Sequence, residues 1–179
     1  MSVHEIQFTP GIVLPESLYL DSNVLIAFFD KNHQSHLNAS QPLLEAKATN
    51  INIYISSLVL DEVWYVLMRN WQRQELDINL NSKNKAHIQL YGTCLERITN
   101  DILNLLQAQL LPLETQKSSD IVEFSIKLLV EEHLAPRDSY HLAYLITAGI
   151  QGFATIDSDF MPIKNPSINL SIIKVTEIE

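Results

Sequence analysis

The chain has 179 residues, 46% of them hydrophobic, and a formal net charge of −9, a size that fits one domain with a sizeable core and requires no second. No apolar run is long enough to span a bilayer and no basic stretch leads into an apolar core at the start, so a soluble, cytoplasmic protein without a membrane partner is expected. The acidic balance excludes a generic nucleic-acid binder held by a broad basic surface, but not a nuclease, whose clustered carboxylates add charge that cations neutralise.

Residues 1–16, with Pro10, Gly11 and Pro15, read as an extended lead-in carrying one edge strand around Ile6 to Phe8. Leu18 to Leu20 reads as a buried strand that stops at Asp21, where Ser22 and Asn23 can turn the chain and cap a helix starting at Val24. An acid at the exit of a parallel strand borders the crevice where open sheets bind ligands. Simple helix capping is an equally good reading of Asp21 taken alone. Asn32 to Ala48 carries a second helical pattern, and its His33 and His36, with no further ligand to complete a metal set, read as solvated.

Asn52 to Ile55 reads as the next strand, and Ser56 or Ser57 caps a helix whose Leu60, Val63, Trp64, Leu67, Met68 and Trp71 form a core-facing stripe. Glu62 lies off that stripe with Val59 and Val66 as its i−3 and i+4 neighbours, which suggests a partly buried carboxylate in need of a cation or donors. The simpler alternative is that Asp61 and Glu62 complement the helix dipole. Residues 69–92 are the most polar segment and read as a helical insertion. It holds the only basic concentration, Arg69, Arg73, Lys83 and Lys85, placed either to contact phosphates or on a solvated hairpin. A long helix then runs to about Ala108 and contains Cys94, the single cysteine, read as a buried thiol in a reducing compartment.

Gln109 to Leu113 is a further strand candidate and Ser119 to His133 a capped helix. Pro136 suits the first turn of the next helix, which places Asp138 near its N-terminus, and the rest of that helix is apolar nearly all round. Gly149 ends it, Phe153 to Ile156 reads as a strand followed at once by Asp157 and Asp159, and Ile168 to Val175 closes the sheet. Alternating strands and helices argue for an α/β fold, three layers α/β/α around a mostly parallel sheet. In such a sheet Asp21, Glu62, Asp138 and Asp157 can converge on one crevice, with Asp159 nearby. Packed together, they raise one another's pKa unless a cation joins them, and an all-oxygen set selects Mg²⁺ or Mn²⁺ over zinc.

The segments LYLDSNVLIAFF, ISSLVLDEVWYVL, APRDSYHLAYLITAGI and FATIDSDF, in that order from about Ser17 to Val175, resemble the PIN-domain nucleases, including the VapC-like toxins of type II toxin–antitoxin pairs. The resemblance implies an endoribonuclease in which Asp21, Glu62, Asp138 and Asp157 bind Mg²⁺ or Mn²⁺, with Asp159 an additional acid and Asn23 holding the first Asp in place. It further implies products with 5′-phosphate and 3′-hydroxyl ends, and as partners an RNA substrate, a cognate antitoxin and a second copy in a homodimer. The lead-in and the 69–92 segment are extra to compact toxin-type PIN domains. Two rival classes stay open: a catalytically silent PIN-like module binding RNA or protein, and an aspartate-based phosphoryl-transfer domain. The phosphatase version of the latter wants an acid where Asn23 stands, and the receiver version wants a lysine that Lys164 supplies poorly.

Overall fold

The computed structural model describes residues 3–71, 85–111, 118–160, 163 and 168–175, apart from the side chains of residues 71, 85–88, 118 and 119. Six strands, β1 (Val3–Gln7), β2 (Ser17–Leu20), β3 (Asn52–Ile55), β4 (Gln109–Leu110), β5 (Gly152–Thr155) and β6 (Leu170–Lys174), form one sheet in the order β1-β6-β5-β2-β3-β4. Every pairing in it is parallel. Strands buried on both faces read as continuous apolar runs, and β2 and β5 lie at the centre because Leu18, Tyr19, Leu20, Phe153 and Ala154 have no solvent exposure.

The chain steps outward from β2 to β3 and β4, then returns to the other side of β2 for β5 and β6. Right-handed crossovers in opposite directions put helices on opposite faces of the sheet. Helices α1 (Ser22–Phe29), α2 (His36–Ala48), α3 (Ser57–Trp71) and α4 (Lys85–Asn100) therefore form one layer, and α5 (Ser118–Glu132) and α6 (Pro136–Thr147) the other. The result is the expected three-layer α/β/α architecture. Its topological switch point lies between β2 and β5, where the carboxyl ends of neighbouring strands feed chains that diverge and leave a crevice.

Several elements start or stop differently from the sequence reading. Helix α1 begins at Ser22, since Asp21 itself is the N-cap and its carboxylate accepts the Ser22 N–H at 2.7 Å. The helix expected to reach Ala108 leaves α geometry at Asn100 and continues as a π-helical turn, Asp101–Leu105. In α3 the buried face is turned toward Val59 and Glu62, while Trp64 is 36% exposed and satisfies its indole N–H on Thr99 of α4 at 2.9 Å. Cys94 is half-buried rather than buried. The polar 69–92 segment is divided between the end of α3, residues outside the described set, and the start of α4. No helix among the described residues is long and apolar enough to cross a membrane.

One close approach locks the lead-in to the sheet. A Cβ on Gly152 would lie 2.9 Å from Pro15 Cγ, 2.9 Å from the Ser17 carbonyl oxygen and 3.0 Å from Leu18 Cδ1. The carbonyl belongs to β2 and cannot rotate away, so only glycine lets β5 lie this close. Gly152→Ala is expected to destabilise the protein by about 1–3 kcal/mol, the usual cost of overpacking. Urea denaturation measures it, with the midpoint falling and the slope unchanged.

Candidate active site

Strand register builds the site. Leu18, Tyr19 and Leu20 of β2 face Gly152, Phe153 and Ala154 of β5, so the next residues, Asp21 and Thr155, come side by side. Thr155, fully buried, donates its hydroxyl to Asp21 Oδ2 at 2.6 Å. The same Thr155 Oγ1 accepts the Asp157 N–H at 3.0 Å and lies 3.4 Å from Asn23 Nδ2. Asn23 completes the corner by accepting the Ile156 N–H at 3.2 Å. Asn23 thus steadies Asp21 through Thr155 and the β5 exit.

Helices α3 and α6 supply the other side. Ser56 caps α3 by accepting the Val59 N–H at 3.4 Å, which sets Glu62 in the second turn, 8% exposed. Its Oε1 accepts from Arg137 Nη1 and its Oε2 from His141 Nε2, both at 3.1 Å. Arg137 and His141 are i, i+4 neighbours on α6 and so reach one carboxylate together. Behind His141 a buried chain of hydroxyls continues, with Tyr19 Oη 2.9 Å from Nδ1 and Ser56 Oγ 2.7 Å from Tyr19 Oη. Asp138, in the first turn of α6, and Asp157, just past β5, line the same cleft of about 250 Å³.

The carboxylates do not behave alike. Burial pushes the Asp21 carboxyl above its ordinary range, and the donors from Thr155 and Ser22 and the nearby His141 only partly offset it. Asp138 is raised to about 6, first by burial and then by the charges of Asp157, Asp21 and Asp159. Glu62 departs from the mutual elevation expected for clustered acids. Burial is its largest single influence and upward, but hydrogen bonds from His141 and Ser22 and the charges of His141 and Arg137 together carry it below the ordinary value. With Glu62 ionised, His141 Nε2 must carry the proton in their hydrogen bond.

One ligand atom each from Asp21, Glu62 and His141 lies within 4.8 Å of the others, all three residues buried. Asp138 and Asp157 flank that trio on the cleft wall, while Asp159 is exposed and instead gives its backbone N–H to Asp157 Oδ1 at 2.9 Å. Of the basic residues singled out from sequence, Arg69 is exposed on α3, seven residues after Glu62 and therefore on the same helix face. Arg73 and Lys83 lie outside the described residues, as does the side chain of Lys85. His33 and His36 stay away from the cleft, and neither is simply solvated: His33 Nδ1 accepts the Ser35 N–H at 3.1 Å, and His36 Nδ1 lies 2.9 Å from the Ala27 carbonyl oxygen. Sequence reasoning passed over Arg137, His141, Tyr19 and Thr155. A histidine and an arginine at i, i+4 around Asp138, on a helix otherwise apolar, were the signal available.

A parallel α/β/α sheet with paired carboxylates at its switch point defines a class of proteins that carry an acidic crevice where two central strands diverge. Over residues 18–164 the sequence matches the PIN domain family, and the chain belongs to that family. No curated protein matches the chain. Among solved structures, the fold resembles VapBC2 from Rickettsia felis bound to a promoter DNA fragment, at TM-score 0.55 and 20% identity over 88% of this chain and 98% of that one. It also resembles VapC20 of Mycobacterium tuberculosis, a toxin that cleaves the sarcin-ricin loop, at TM-score 0.53 and 16% identity over 80% and 92%. A toxin–antitoxin complex from Klebsiella pneumoniae aligns at TM-score 0.51 and 18% identity over 90% and 99%.

Two outcomes test this geometry. In metal-free protein the folded Asp138 binds its proton more tightly than the unfolded chain does, with a pKa of about 6 against 3.8. The group costs nothing below the unfolded value, and stability falls as pH rises through about 4 to 6. Asp138→Asn is expected to flatten that fall in thermal melts taken across the range. Thr155→Val removes the hydroxyl shared by Asp21, Asn23 and Asp157 while keeping volume, and should cost about 1–3 kcal/mol because buried polar groups lose their partner. Chemical denaturation reads this, and a variant as stable as wild type would show the contact to be dispensable.

Proposed function

We propose that the protein is a single-domain, divalent-cation-dependent endoribonuclease, the toxin of a type II toxin–antitoxin pair, acting on RNA in the cytoplasm. The observation that carries this reading is the meeting of Asp21, Glu62, Asp138 and Asp157 in one cleft at the switch point, with Asp21 and Asp138 under electrostatic stress. Acids held at elevated pKa by burial and by each other are relieved by a cation. The donor set is dominated by carboxylate oxygens and suits Mg²⁺ or Mn²⁺. Asp21, Glu62, Asp138 and Asp157 would hold the ion, with Asp159 as an outer acid and Asn23 as support.

When bound, the cation supplies Lewis-acid polarisation of the phosphodiester and neutralises developing charge. The chain's own residues do the positioning. Thr155 and the Ser22 N–H each hold one oxygen of Asp21, an orientation it would present to a bound ion. His141 and the Ser22 side chain do most to hold Glu62 ionised, so that it would not have to lose a proton to bind a cation, and the Arg137 charge adds a smaller part. Asp138 and Asp157 are half-buried on the cleft wall, nearer solvent than Asp21 and Glu62, and would face an incoming RNA strand. The toxin reading, with a cognate antitoxin, draws support from fold neighbours of which one is named a toxin and another a toxin–antitoxin complex, and a homodimer is proposed alongside it. Arg69, Arg73, Lys83 and Lys85 are proposed to meet the RNA outside the cleft.

The purified protein is expected to cleave RNA with Mg²⁺ or Mn²⁺ and to stop in excess EDTA, leaving 5′-phosphate ends. Asp21→Asn keeps the helix cap but loses the charge, so cleavage should fall by at least about a hundredfold, as loss of a group acting in the transition state does. Metal-free, that variant should melt no lower than wild type near neutral pH, and Mg²⁺ should raise its melting temperature less than it raises that of wild type. Wild-type cleavage in EDTA, or by Asp21→Asn, would remove the acid cluster from the chemistry.

A further inference from the structure

Arg137 is the one lysine or arginine among the described residues lining the cleft, which otherwise presents Asp21, Glu62, Asp138 and Asp157. Its guanidinium side chain is 65% exposed, whereas the Glu62 side chain it touches is only 10% exposed. The contact is made by Nη1 to a single carboxylate oxygen, 3.1 Å away. The opposite oxygen of Glu62 is already held by buried His141 at the same distance. Glu62 is therefore anchored from within, and the guanidinium, largely exposed, spends only Nη1 on it among the contacts the structure shows. Tyr65, one helical turn beyond Glu62 on α3 and 52% exposed, lines the same cleft.

We infer that Arg137 is the substrate-contacting cation of this cleft, exchanging its ion pair with Glu62 for a phosphate of a single-stranded RNA. The inference rests on the nuclease reading given above and adds to it a residue and a strand geometry. A polyanion entering a pocket of four acids needs a fixed positive charge, and a guanidinium fork matches phosphate oxygens better than any other side chain. An exposed aromatic residue lining the same cleft offers a stacking surface to an unstacked base, which a duplex does not present. Until substrate arrives, Arg137 competes with a divalent cation for Glu62 Oε1.

That competition makes the test depend on sign. In RNA-free protein, Mn²⁺ affinity is measured from the loss of the free-ion EPR signal. Arg137→Gln is expected to bind Mn²⁺ about two- to fivefold more tightly, the scale of an exposed ion pair. A residue that merely held Glu62 in place would do the reverse and weaken it. Binding of a fluorescein-labelled, unstructured oligoribonucleotide is then followed by anisotropy in Ca²⁺ over a salt series. Arg137→Gln should bind about tenfold more weakly with a shallower salt slope, because one phosphate contact is gone. Arg137→Lys keeps the charge without the fork and should fall between the two, which preserves the test if the glutamine variant fails to fold. In cleavage assays the loss should appear mainly in KM.

Unchanged RNA affinity and salt slope in both variants, or weakened Mn²⁺ binding, would overturn the inference. Equal binding of duplex and single-stranded RNA would overturn its strand geometry. The nuclease reading fails differently, by wild-type protein that binds RNA and metal yet never cleaves.

Discussion

The Thr155 hydroxyl is the contact on which the cleft depends. It lies 2.6 Å from Asp21 Oδ2, receives the Asp157 N–H at 3.0 Å and has no solvent exposure. It exists because parallel register sets β2 and β5 so that their last residues emerge together. A slip of one position would carry every side chain of β5 to the opposite face and separate the acids that the two strands deliver. Gly152, at the other end of the same strand, permits the close seating against Ser17 and Leu18 that keeps this register. Packing at the bottom of the sheet and chemistry at the top are thus two consequences of one pairing.

The acids divide into two kinds by what surrounds them. Glu62 is desolvated but paired on both oxygens by cations or donors from α6, and the balance holds it ionised. Asp21 and Asp138 are desolvated with less compensation, and their carboxyls are pushed upward. Burying a charge without a full complement of partners costs stability. The protein tolerates that cost at the crevice where strands diverge, and under the proposed function a cation held there would return the lost stability by mass action. The hydroxyl chain from Ser56 through Tyr19 to His141 has the opposite character. It is buried and connected, and burial holds the Tyr19 hydroxyl in its neutral form, so the two hydroxyls fix geometry behind His141.

An overall charge of −9 is compatible with a site for a polyanion once its placement is considered. Whole-chain charge governs approach over distances that salt screens within about 10 Å, whereas a guanidinium inside the cleft acts at contact range. Arg69, two turns beyond Glu62 on the same face of α3, extends that basic side outward.

Much of the frame was legible in the residues alone. Short apolar runs ending in Asp21 and Asp157, with Pro136 opening a helix before Asp138, declare strand exits and a helix mouth because each signal is local and has a direct steric or hydrogen-bonding cause. The α/β alternation and the family resemblance follow from the same stretches. Boundaries failed where propensity is weak, as at the π-helical turn after Asn100, or where two apolar faces compete, as with Trp64 and Val59 on α3. What the sequence could not disclose was partnership. Glu62 and His141 are 79 positions apart, and Tyr19 and His141 are separated by 122. Nothing in the local pattern of an apolar helix or strand says that its one polar group will meet another across the sheet. Only closure of the tertiary structure decides which donor reaches which carboxylate, because hydrogen bonds act over about 3 Å and the chain's order carries no distance at that scale.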